Sequence, residues 1–115
     1  MFDHSPNHQS SLLPAKQVKT FFDELAVRYQ GHKIRVALGE DALRDPDSLA
    51  LASLESLELT HSFHKEELII KTRGADAITF RVIMVWVTRD EDGRIVTVEV
   101  ADNKNNKLVL YFQPQ

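Results

Sequence analysis

The sequence predicts an α+β domain, with one N-terminal helix packed on one face of a five- to six-stranded, mostly antiparallel meander sheet. Three observations carry that expectation. In "ITFRVIMVWVT", Ile78, Phe80, Val82, Met84 and Trp86 fall on alternate positions, so in a strand they share one face. Two turns then follow from residue chemistry: "RDEDGR" places Gly93 where a left-handed residue is needed, and Asn103-Lys104-Asn105 supplies Asn for the same purpose. Closing the first turn pairs Asp90 with Arg94 and sets Trp86 opposite Val98 and Met84 opposite Val100; closing the second pairs Asp102 with Asn106 and sets Val98 opposite Leu110 and Val96 opposite Phe112. The two registers agree on one apolar face, and a slip of one residue in either would destroy the agreement. The third observation is a single amphipathic stripe ahead of the sheet.

That stripe is Val18, Phe22, Leu25 and Tyr29, spaced four, three and four apart and broadened by Phe21. Lys16, Lys19, Asp23, Glu24 and Arg28 take the remaining surface. Pro14 suits a first helical position, Ser11 a cap, and Gly31 a C-terminal stop. Before the helix, residues 1–10 carry no periodicity and read as a disordered leader, leaving residues 11–115 as one domain. After it, "HKIRVALG" alternates as the first strand. The run from Glu40 to Ser53 holds a turn signal at Asp45-Pro46-Asp47 and no clear period. Leu57, Leu59 and His61 alternate next. A turn at His64-Lys65 pairs Phe63 with Glu66, Leu59 with Ile70 and His61 with Leu68. The loop Gly74-Ala75-Asp76 pairs Arg73 with Ala77, which sets Ile70 against Phe80 and Leu68 against Val82. The helix is expected to lie across the face that carries Trp86, the one continuous apolar face these registers produce.

Composition narrows the function classes. Hydrophobic content of 43% and charged content of 27% are those of an ordinary globular chain, and 115 residues suffice for a core without disulfides or metal. A net charge of −3 offers no basic field for nucleic acid or anionic membrane. With no cysteine, thiol catalysis and cysteine-ligated metal are excluded. The first residues lack the basic and apolar regions of a secretory signal, and no apolar run approaches the roughly 20 residues of a membrane span. A soluble cytoplasmic protein is the expectation.

The helix-to-strand passage "FFDELAVRYQG" and the closing "VWVTRDEDGRIVTVEVADNKNNKLVLYF" together resemble a family of short bacterial proteins known only as a domain of unknown function. The resemblance covers about two-thirds of the chain and leaves out the middle, Ala42 to Ser56. It implies the same fold and a bacterial source, and brings no activity, cofactor or site residue with it.

Chemistry-bearing residues are sparse. His61 and His64 lie three apart across a turn with no third ligand nearby, so His61 reads as a half-buried rim residue and His64 as a solvated turn residue. His4 and His8 fall in the leader. Asp45 and Asp47 lack the glycine and closing glutamate of a calcium loop, and Asp90, Glu91 and Asp92 read as a solvated hairpin tip. No Gly-x-Ser-x-Gly elbow or phosphate-cradling glycine loop is present. The sequence therefore predicts no catalytic residue, metal or cofactor. It does predict an apolar patch on the outer face of the sheet, formed by Ile69, Ile83, Val85, Val87, Val109 and Tyr111 beside Arg81, Thr97 and Glu99. Clustered apolar residues on an outer face mark an interface, with a fold-over of Glu40–Ser53 as the competing explanation. The expected function is a non-enzymatic binding or interaction module, acting as a homodimer or as an accessory subunit of another protein. A small-molecule binder with a pocket between helix and sheet is the alternative, and an enzyme with an unrecognised site a more distant one.

Overall fold

The computed structural model describes residues 8–113, and it has the α+β architecture with one α-helix among them. The sheet, however, has eight strands rather than five or six. In chain order these are β1 (Gln9–Leu12), β2 (Lys33–Leu38), β3 (Ala52–Ser62), β4 (Lys65–Thr72), β5 (Ile78–Arg81), β6 (Met84–Arg89), β7 (Ile95–Ala101) and β8 (Lys107–Phe112). They lie in the order β1-β6-β7-β8-β2-β3-β4-β5, all paired antiparallel. The helix α1 (Val18–Tyr29) follows β1 through a 3-10 turn at Ala15–Gln17.

The two additional strands have separate causes. β1 carries the sequence Gln-Ser-Ser-Leu, which has no apolar alternation to announce a strand, yet it pairs residue for residue with β6 from Gln9↔Arg89 to Leu12↔Trp86. Gln9 and Ser10 thus belong to the sheet rather than to the expected leader, and Ser11 is a strand residue rather than a helix cap; Met1–Asn7 lie outside the described residues. The second cause is a corner. The run Ile78–Trp86, read as one strand, breaks at Val82-Ile83 into β5 and β6. There the Val82 amide donates to the Glu66 carbonyl of β4 at 2.9 Å, and the next amide, Ile83, donates to the Ala101 carbonyl of β7 at 2.9 Å. Consecutive residues, whose Cα atoms stand about 3.8 Å apart, bond to strands in opposite halves of the sheet order. The sheet must curl until its ends approach each other, and α1 fills the concave side.

The α1 stripe lies where its spacing predicts. Val18, Phe22, Leu25 and Tyr29 are its four buried residues, with Phe21 and Ala26 packed at the margin. Gly31, at φ 84°, ends the helix, and its amide donates to the Leu54 carbonyl at 2.8 Å while the Leu54 amide donates to the His32 carbonyl at 2.9 Å. These bonds tie the C-terminal end of α1 to β3. Tyr29 then stacks at a tilt on Phe112, 4.6 Å between ring centres.

The face that α1 covers is not the one carrying Trp86. Hairpin β6–β7 starts as its turn chemistry predicts: the Asp90 amide donates to the Arg94 carbonyl at 2.9 Å, and Asp90 Oδ1 accepts from the amides of Asp92 and Arg94. Arg89 then pairs with Ile95, but Thr88 pairs with Thr97, so Val96 is an extra residue in β7. This β-bulge moves the register by one, giving Val85↔Val100, Trp86↔Glu99 and Val87↔Val98. Because the side-chain period is two, the slip turns β6 over. Val85 and Val87 are 1% and 2% exposed in the core, whereas Met84 and Trp86 are on the outer face.

Hairpin β7–β8 keeps its predicted register, with Val98↔Leu110 and Glu99↔Val109. Its turn is held by Asp102, whose carboxylate accepts from the amides of Lys104 and Asn106 and from the Asn106 side chain; the Asn106 side-chain bond, ahead of the turn amides, holds the carboxyl below the ordinary aspartate range. Hairpins β3–β4 and β4–β5 are shifted by two residues from expectation, to Leu59↔Leu68 and Leu68↔Phe80. A shift of two preserves the faces, so Leu57, Leu59, Leu68, Ile70 and Phe80 all enter the core as predicted. In β3–β4 the cause is the turn itself: its central residues are Phe63 and His64, both left-handed at φ 48° and 65°. That is the pattern of a two-residue type I′ turn, which ordinarily takes Asn-Gly.

The segment of unclear period, Glu40–Ser53, forms 3-10 turns at Gly39–Leu43 and Pro46–Ser48 before entering β3. Asp45 opens the second turn by accepting from the Asp47 amide at 3.1 Å. The segment lies on the outer face of β2 and β8, where Leu49 is buried with Ala37 and Val109, and Ala42 and Tyr111 pack alongside. Arg35 Nε donates to the Leu49 carbonyl at 3.0 Å and pins it there.

Two substitutions test this packing. Phe22 has no solvent exposure and sits at the centre of the helix–sheet contact, so Phe22→Ala should cost about 3–5 kcal/mol in chemical denaturation. A variant that unfolds at the wild-type midpoint would show that α1 does not dock there. Replacing Phe63-His64 by Asn-Gly should raise stability by about 1–3 kcal/mol, because Phe in a left-handed conformation is strained and at 92% exposure gains little from burial. An unchanged or lowered midpoint would contradict the type I′ turn.

Candidate binding surfaces

The six residues predicted to form an outer patch do not assemble into one. Val85 and Val87 are core residues because of the bulge at Val96. Val109 is buried beneath Leu49, so the fold-over weighed against an interface covers this part of the face. Tyr111 is half-buried beside it, with its phenol pKa raised by burial and then by the charge of Glu99. Ile69 is half-buried on the other half of the sheet, between Glu58 of β3 and Thr79 of β5. Ile83, at the corner, is the one prominently exposed member.

A different apolar group takes its place. The registers Leu12↔Trp86, Trp86↔Glu99, Glu99↔Val109 and Ala37↔Val109 run as one row across five strands on the outer face. Leu12, Ile83 and Met84 are 47%, 50% and 40% exposed, and Trp86 is partly so. Leu12, Met84 and Trp86 come together on the outer face where β1 joins β6, and Ile83 is exposed at the adjoining corner. Around them the rim is polar: Ser10 and Thr88 hydroxyls lie 2.7 Å apart, and Lys107 Nζ stands 3.6 Å from a Glu99 carboxylate oxygen. Sequence reasoning missed Leu12 because β1 shows no alternation. Trp86 and Met84 lie outside rather than inside because the bulge at Val96, which no side chain announces, turns β6 over.

The second surface is concave and lies between α1 and the β6–β7 hairpin. One hollow of about 780 Å³ is lined by Phe21, Leu25, Val27 and Ile95 and by the charged Asp23, Glu24, Arg28 and Arg89. A second, of about 630 Å³, adjoins it through Arg28 and Ile95 and continues to Tyr29, Phe112 and Arg94. Both sizes are those of ligand sites. The hollows exist because α1 is tied to β3 at its C-terminal end and leans on that side of the curled sheet.

Neither surface contains the histidine pair. His61 is exposed rather than half-buried and stands opposite Glu66, and His64 occupies the β3–β4 turn. His4 lies outside the described residues, and His8 borders the second hollow. Among the described residues no group of three or more histidine or acidic side chains is placed to hold a metal ion, and no helix is long and apolar enough to cross a membrane. No family model, curated protein or solved structure matches the chain, so the readings below rest on its own geometry.

Proposed function

We propose that this protein is a non-enzymatic interaction module that pairs with a second copy of itself through the outer face around Trp86. The observation that supports the reading is the placement of the single tryptophan, part-exposed on a sheet face beside Leu12, Ile83 and Met84. Exposed large apolar side chains scattered singly need no explanation, but Leu12, Met84 and Trp86 share one face beside an exposed corner residue, and form a patch of the kind interfaces use. Tryptophan in such a patch is the residue type most enriched among energetic anchors. A second copy suits the patch because its rim bears both signs of charge, Glu99 and Lys107, so that a two-fold axis through the centre can set each against its opposite. An accessory role beside another protein would use the same surface.

Val85 is buried, so the substitution that separates pairing from folding is at Trp86. Trp86→Arg should give a monomer by light scattering at concentrations where the unaltered protein is a dimer, with the thermal transition of the isolated monomer retained. A wild-type chain that stays monomeric at high concentration, or a variant that still dimerises, would refute the reading.

A further inference from the structure

The trough beside α1 has features the pairing reading does not use. Its floor is apolar, formed by Phe21, Leu25 and Ile95, with Tyr29 and Phe112 beyond. Its rim is crowded with charge, but most of the acidic groups are already engaged. Lys19 pairs with Asp23 at 2.9 Å, Asp90 accepts from two turn amides, and Arg94 stands 3.8 Å from Asp92. Glu24 lines the same hollow as Arg28 and Arg89. Among the described residues Arg28 forms no hydrogen bond or ion pair, and the Arg89 guanidinium donates only to the Gly93 carbonyl, at 3.1 Å. Arg28 stands at the junction of the two hollows, so a guanidinium with its donors uncommitted overlooks the middle of an apolar floor.

We infer that the trough binds an amphipathic carboxylate, with its apolar chain along Phe21, Leu25 and Ile95 and its carboxylate on Arg28 and Arg89. Guanidinium donors match carboxylate oxygens in a planar, two-point geometry that a neutral head group cannot reproduce. From Phe21 to Tyr29 the helix advances about 12 Å at 1.5 Å per residue, long enough for a medium-length alkyl chain laid parallel to it. A cationic amphiphile would meet the two arginines, and a wholly apolar ligand would leave their donors facing it unused. The site lies on the concave side of the sheet, and Trp86 on the outer side, so ligand binding and self-pairing are independent.

The test compares three ten-carbon probes, decanoate, decanol and decylamine, by titration calorimetry below their aggregation thresholds, with amide chemical shifts to locate the site. Decanoate is expected to bind and to shift Phe21, Leu25, Arg28 and Ile95, with decanol weaker on the order of tenfold and decylamine weaker still. Arg28 and Arg89 are exposed, so the double variant Arg28→Gln, Arg89→Gln keeps the fold, which its thermal transition verifies. It should lose about tenfold or more in decanoate affinity while decanol affinity is unchanged. The inference is overturned if decanoate fails to bind, if decanol binds as tightly, if the shifts map elsewhere, or if the double variant binds decanoate like wild type.

Discussion

One extra residue in β7 decides which side of the hairpin is inside. Ile95, Val98 and Val100 are all buried, but in a regular strand a residue at an odd position cannot share a face with two at even positions. The bulge at Val96 removes the conflict by letting Ile95 and Val98 point the same way. Its consequence on the partner strand is larger than on its own. β6 is turned over, valines 85 and 87 meet valines 100 and 98 in the core, and the bulky Trp86 and Met84 go to the outer face. Threonines 88 and 97 face each other on that same outer side, where the Thr88 hydroxyl finds a partner in Ser10. Without the bulge Thr88 would turn toward an apolar core, where a hydroxyl without a partner is costly.

The corner at Val82-Ile83 is the second constraint, and it converts a meander into a curled shell. Strands β5 and β6 are consecutive in sequence yet stand far apart in the order of the sheet, so the chain closes the shell by passing from one end to the other in two residues. A shell of this kind needs something to fill it, and α1 does so with only four buried side chains. Because the helix is fastened to β3 at Gly31 and Leu54, it packs toward one wall and leaves the trough against the other. Both candidate surfaces therefore descend from backbone features: the outer patch from the bulge, the trough from the fastening of the helix.

Much of this was legible in the sequence, and the parts that were not share a cause. The helix stripe, the Asp90–Arg94 and Asp102–Asn106 turns and the inward set Leu57, Leu59, Leu68, Ile70 and Phe80 follow from local periodicity and turn chemistry. The two-residue errors in β4 and β5 left their faces intact. What could not be read is whatever a strand does against its local preference. Phe63 and His64 adopt left-handed conformations that their side chains disfavour, so the turn falls one residue earlier than residue chemistry suggests. Val82-Ile83 is apolar and β-branched, with nothing to mark a corner. Gln9–Leu12 pairs with β6 through its backbone and the Ser10–Thr88 hydroxyl bond, with no apolar alternation in its side chains to announce it. Of the six residues expected at the interface, Val85 and Val87 lie in the core for one reason: Val96 is unpaired, and its β-branched side chain does not mark it as a bulge.

The register between β6 and β7 is therefore the quantity to measure, and nuclear Overhauser contacts across the hairpin in an isotope-labelled sample measure it directly. The bulged pairing predicts backbone contacts of Val85 with Val100, Trp86 with Glu99 and Val87 with Val98, together with side-chain contacts from Val85 and Val87 to the helix residues they share a core with. Contacts of Trp86 with Val98 and Met84 with Val100, with the indole close to Phe22, would show a regular hairpin and contradict the account.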